Sequence, residues 1–164
     1  MMIFEAETLF MLSQTSEYAL RAMAWLALTP SELVATSTLA EKTQVPATYL
    51  AKVLQQLSAA DLITGRRGVG GGYRLARDPS AITLLQVIQA VGVLQRIPSC
   101  PLGIATHGSN LCPLHRKSDE AAAAVIEIYD GVTLEDLISD PNSNTPLCET
   151  RPKIPLTVTA RKGV

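Results

Sequence analysis

Aromatic side chains are scarce in this chain: two Phe, one Trp and four Tyr in 164 residues. A core built with so few rings has to be aliphatic and alanine-rich, which suits helices. No run of about 20 apolar residues occurs, so no membrane span is expected. Residues 1–10 carry no base, unlike the charged start of a signal peptide. Cysteine is sparse and odd in number, with only Cys100, Cys112 and Cys148. Without a signal peptide, that count points to a reducing cytoplasm and away from a disulfide framework. Internal repeats are also missing. What remains is 47% hydrophobic and 18% charged, the composition of about one globular domain.

Net charge is only −1, which taken globally argues against a nucleic-acid binder. The average conceals an asymmetry. Residues 42–77 hold six bases (Lys42, Lys52, Arg66, Arg67, Arg74, Arg77) and one acid, Asp61. Residues 119–140 hold seven acids and no base. Opposite blocks on this scale imply one surface for a polyanion and one part kept away from it.

The spacing predicts a helix over 15–28, free of Gly and Pro and followed by Pro30. A second is expected over 36–43, with Thr38 and Glu41 spaced as a capping box. Gln44 and Val45 then make a turn, and Pro46 suits the first position of a third helix over 46–60. In that helix Leu50, Val53, Leu54 and Leu57 share one face, opposite Thr48, Ala51, Lys52 and Gln55. Alone, such a face reads as solvated. Two short helices joined by a tight turn make a helix-turn-helix, whose second helix enters the major groove.

A hairpin pattern follows, with arms at 62–64 and 73–75. The eight residues between them hold five of the ten glycines, together with Arg66 and Arg67. A phosphate cradle for a nucleotide is the competing reading, but no P-loop Lys-Ser/Thr follows and the segment opens into a strand. Arginines at a hairpin tip beside a helix-turn-helix read as a wing reaching the minor groove or the phosphates.

Further helices are expected over 83–91, capped by Thr83, over 114–130, ending at Gly131, and over 133–138. In the long one, Leu111, Leu114, Ala121, Val125, Ile128 and Val132 approximate a 3/4 repeat, which reads as a homodimer seam. The expected fold is mainly α with a small β-hairpin: a winged helix-turn-helix over 11–92, a loop over 93–115, a dimerisation helix over 116–139 and a disordered tail over 140–164. The loop is unusual. Residues 97–115 contain no Asp, Glu, Lys or Arg, yet hold two of the three cysteines and both histidines. No general base, nucleophile–base pair or phosphate loop stands out anywhere, so an enzyme is not expected.

Residues 12–21 (LSQTSEYALR), Leu39-Ala40-Glu41, Tyr49-Leu50-Ala51-Lys52-Val53-Leu54 and above all residues 67–76 (RGVGGGYRLA) resemble the Rrf-two family of bacterial winged-helix regulators. The resemblance covers roughly residues 11–139, which makes Met11 a candidate start. It implies a homodimer on a pseudo-palindromic double-stranded DNA operator, most simply a repressor, with the third helix in the major groove and the wing in the minor groove. By position, Thr48, Tyr49 and Lys52 would touch DNA from the helix and Arg67 from the wing. Arg66 and Arg74 join them on charge alone. Ala51 falls where a cluster-sensing member carries an acid that affects site choice.

The resemblance also bears on the loop. Cluster-binding members of the family place three cysteines there. Cys100 and Cys112 match the outer two, whereas Thr106 stands at the middle position with His107 beside it. His115 matches a histidine ligand, and Glu17 sits where some members supply a ligand from the other subunit. Two thiolates with N or O ligands suit a two-iron, two-sulfide (2Fe-2S) cluster better than a four-iron one. Such a loop would sense redox state, nitric oxide or iron–sulfur status. Cys100, His107, Cys112 and His115 would equally complete a tetrahedral zinc site. A third reading has no metal, with regulation by a protein partner or a small molecule. Cys148 reads as a bystander.

Overall fold

The structure, a computed structural model, describes residues 12–108, 110–141 and Pro146. The candidate start at Met11, Cys148 and nearly all of the expected tail lie outside the described residues. Helix α1 spans Gln14–Leu28, α2 Thr36–Thr43 and α3 Ala47–Ala59. Strands β1 (Ile63–Arg66) and β2 (Gly72–Leu75) form an antiparallel hairpin in the register Ile63↔Leu75 to Arg66↔Gly72. After a short 3-10 turn come α4 (Leu84–Val91), α5 (Pro113–Asp130) and α6 (Leu134–Ser139). The mainly helical winged architecture is therefore as expected. No helix among the described residues is long and apolar enough to cross a membrane.

Local chemistry explains the helix ends. The Ser13 hydroxyl caps α1 by accepting from the Ser16 amide at 3.1 Å. Thr83 and Gln86 form a reciprocal capping box on α4, and Thr133 and Asp136 do so on α6. The box expected from Thr38 and Glu41 does not form. Helix α2 already begins at Thr36 behind Ala35, which offers no side-chain cap, so Thr38 lies within the first turn. Pro46 caps α3 from just outside instead of opening it. Gln44 closes α2 in the left-handed region, φ 55°, which makes the sharp turn into α3.

Helix α1 lies at the centre. Its Ala19, Ala22, Met23 and Leu26 are fully buried, and α2, α3, α4, α6 and β2 all pack on it. From α3, Leu50, Val53, Leu54 and Leu57 enter the same core. Val34 supplies a third partner to the hairpin: its amide and carbonyl exchange hydrogen bonds with Tyr73, both at 2.9 Å. Gly72 makes that approach feasible, because a Cβ there would lie 2.4 Å from the Val34 carbonyl oxygen.

Helix α6 returns to the core, where Leu134 is fully buried. Backbone bonds from Leu134 to Ile82 and from Leu84 to Val132, each 2.9 Å, lock it there. Helix α5 differs: none of its residues is buried, and Leu114 and Ile128 are 70% and 64% exposed. Truncating Leu134 to Ala is expected to cost about 2–5 kcal/mol, the usual range for a filled core position. Urea unfolding measures it, and a loss below about 0.5 kcal/mol would show that α6 is not part of the folded core.

Candidate nucleic-acid interface and cysteine–histidine loop

The outward face of α3 carries Thr48, Tyr49, Lys52 and Gln55, all exposed. Thr48 and Lys52 are one turn apart on that face, and Tyr49 and Lys52 are likewise neighbours. Tyr49 is anchored as well as exposed. Its ring meets Tyr18 of α1 edge-on, with centroids 5.4 Å apart, and its hydroxyl lies 3.2 Å from Thr15 Oγ1.

The wing divides its two arginines between different tasks. The Arg66 guanidinium donates to the Gly70 carbonyl at 2.9 Å, holding the tip turn closed. The tip reverses through Gly68 and Gly70, φ 93° and 71°, a region that disfavours side chains. Arg67 is exposed and makes no ion pair or hydrogen bond among the described residues. Both arginines line a depression of about 500 Å³, together with Thr36 at the start of α2 and Ser58 of α3. Arg74 is not brought to that place. It lines a separate depression with Arg77 and Pro30 at the base of the hairpin. Thr36 and Ser58 escaped the sequence reading, since neither lies in a motif and only the folded wing brings them beside the arginines.

The loop after α4 is tied to α5 near its start and closed on itself further on. Arg96 forms a forked ion pair with Asp119 of α5, with Nε to carboxylate oxygen at 2.7 Å, and the Ile97 amide donates to the same carboxylate at 2.8 Å. These bonds, with Arg96 the larger cause, hold the Asp119 carboxyl down at about 2. Further on, the Cys100 amide donates to the Gly108 carbonyl at 3.0 Å, closing a small lobe.

The loop side chains form two pairs. Buried Cys100 lies with its Sγ 3.9 Å from His107 Nδ1. Half-buried Cys112 precedes α5 and lies 3.4 Å from His115 Nδ1. Glu17 is elsewhere, ion-paired to Arg21 at 2.8 Å on α1. In kind, thiol and imidazole donors fit an iron–sulfur cluster or zinc. In placement, no three of His, Cys, Asp or Glu converge among the described residues. Among the described residues one chain thus brings Cys100 to His107 and Cys112 to His115, and does not close a four-ligand site.

The family model described as "Iron-dependent Transcriptional regulator", Rrf2, matches residues 12–140. The chain belongs to the Rrf2 family. A protein of Aquifex aeolicus (strain VF5), whose name places it among HTH-type transcriptional regulators, is 32% identical over 130 residues, covering 77% of this chain and 90% of that one. The HTH-type regulator IscR of Aliivibrio salmonicida (strain LFI1238) is 29% identical, covering 79% and 77%. Among solved structures, CymR, the global cysteine regulator of B. subtilis, superposes with a TM-score of 0.64 at 27% identity, over 78% of this chain and 95% of that one. T. potens IscR gives 0.66 at 23% identity, over 80% and 88%, a likeness of fold. This Rrf2 chain is a DNA-binding transcriptional regulator and not an enzyme.

The Arg96–Asp119 clamp has a pH signature. Because the folded carboxyl titrates below its ordinary value, its stabilisation is complete above about pH 4 and is lost as pH falls through about 2. Following the Ile97 amide by NMR is expected to show a midpoint near 2 in wild type and no such transition in Asp119→Asn. A wild-type midpoint near 4 would mean that the clamp is absent in solution.

Proposed function

We propose that the chain is a cytoplasmic homodimeric repressor of a pseudo-palindromic operator. It reads the major groove with Thr48, Tyr49 and Lys52 and the minor groove with Arg67. The observation that carries this reading is the division of labour in the wing. Arg66 is spent on the Gly70 carbonyl, and the closed tip leaves Arg67 exposed, with no partner among the described residues. Arg66 then acts by shaping the tip, and Arg74 contributes positive field from the far end of the hairpin.

Dimerisation fits α5. In this 18-residue helix no residue is fully buried; Tyr129 packs on the core, while Leu114 and Ile128 stay exposed among the described residues. A second copy would cover them, as the alanines at 121–124 allow close approach. Val125→Asp would place an unpaired charge in that seam. Sedimentation is expected to find a wild-type dimer at micromolar concentration and a monomeric variant, and a wild-type monomer would remove the dimer.

The signal enters through the loop, as redox state, nitric oxide or iron–sulfur status. Cys100 and Cys112 would hold a cluster, with His107 or His115 and Glu17 of the partner subunit completing the ligand set. A 2Fe-2S cluster supplies one-electron redox chemistry and reactivity toward nitric oxide when bound. The chain's own contribution is a stretch over 97–115 without Asp, Glu, Lys or Arg, clamped to α5 at Asp119 through Arg96 and the Ile97 amide. The separation of the two Cys–His pairs favours a second reading, in which the loop regulates without a cluster. Iron and sulfide analysis of anaerobically prepared protein separates them: both elements, lowered in Cys100→Ala and Cys112→Ala, support the first. Their absence supports the second, and stoichiometric zinc a Cys2His2 zinc site.

For the DNA interface, log K is expected to fall with log salt by about 0.9 per neutralised phosphate. Arg67→Ala is expected to cost about 1–3 kcal/mol in operator binding. Binding that ignores salt, or an Arg67→Ala variant of wild-type affinity, contradicts the proposed interface.

A further inference from the structure

Tyr49 has a second partner set that DNA contact does not require, and all of it comes from α1. The Tyr18 ring stands at 81° to the Tyr49 ring. The Tyr18 hydroxyl accepts from Gln14 Nε2 at 2.9 Å, which fixes the far end of that ring. The Arg21 guanidinium lies 5.8 Å from the centroid of the same ring. Arg21 is held in turn by Glu17 at 2.8 Å, and its Nη1 reaches the Thr43 carbonyl at 3.5 Å. Thr43 ends α2, one residue before the left-handed Gln44. One face of α1 therefore touches both sides of the helix-turn-helix bend: the end of α2 through Arg21, and the first turn of α3 through Tyr18 and Thr15.

We propose that Tyr18 is a positioning residue for sequence recognition: it fixes the Tyr49 side chain in its DNA-reading pose, while Arg21 braces the bend before α3. The proposal rests on Tyr49 as a DNA contact. An exposed tyrosine free to change rotamer pays ordering entropy when it binds. Here the cost is met in the free protein, by an edge-to-face contact and a hydroxyl hydrogen bond. Phosphate attraction needs no such ordering, so the effect belongs to specific binding and not to non-specific binding.

The test uses the full chain and two probes: the duplex that wild type selects from a random-sequence pool, and a scrambled duplex of equal length. Tyr18→Leu is expected to weaken binding to the selected duplex by about two- to tenfold, the usual worth of an aromatic pair. Binding to the scrambled duplex is expected to be unchanged, and Tyr18→Phe to keep most of the affinity. Against a Tyr49→Ala background, Tyr18→Leu is expected to add no further loss. Equal losses on both duplexes, or wild-type affinity in Tyr18→Leu, would overturn the proposal. Additive losses, with Tyr49→Ala itself weakened, sink this proposal alone. Wild-type affinity in Tyr49→Ala removes the contact beneath it and the proposal with it.

Discussion

Burial of α1 is the constraint from which the rest of the structure follows. Ala19 and Ala22 present almost no side chain, so neighbouring elements approach its backbone closely, while Met23 and Leu26 fill the space between them. Close packing of this kind leaves little room for independent movement. Helices α2, α3, α4 and α6 and strand β2 are thereby referred to one rod. Helix α3 is held on its inner face by leucines and on its rim by Tyr18 and Thr15.

The wing is placed by a second, smaller constraint. The paired hydrogen bonds between Val34 and Tyr73 pin β2 beside the residue that leads into α2, and Gly72 permits the approach. Wing and helix-turn-helix thus keep a fixed relation, which the proposed reading of two grooves requires. The acidic stretch follows at the other end of the chain, where Asp119 holds the cysteine–histidine loop against α5. The cluster of bases and the attachment of the loop therefore lie in different parts of the chain.

Much of this was legible in the sequence, where periodicity and end signals act locally. All four apolar positions expected of α3 are buried, and Thr83 caps α4 as its spacing implied. Gly131 caps the end of α5 as expected. Capping-box spacing misled at Thr38, because the helix begins at Thr36 as expected and Thr38 then lies inside its first turn, where it caps nothing. The Val34–Tyr73 bridge joins residues far apart in the chain, one of them in no strand pattern, so nothing local announced it. At the site, residue types in the wing and the loop were readable, but their use was not. Charge could not tell that Arg66 turns back onto Gly70 while Arg67 stays exposed. Nor could spacing tell that each cysteine pairs with the histidine nearest to it in sequence, since that depends on the lobe closed by Cys100 and Gly108.

Hydroxyl-radical footprinting of the selected duplex tests the account most directly, because it reports each sugar that the protein shields in the minor groove. A two-fold dimer with α3 in the major groove and Arg67 in the minor groove predicts two symmetric sets of protection. Their centres would lie one helical turn, about 10–10.5 bp, or a multiple of it apart. Each set would include minor-groove sugars that become reactive again in Arg67→Ala. A single asymmetric patch, or minor-groove protection unaffected by Arg67→Ala, would contradict the account.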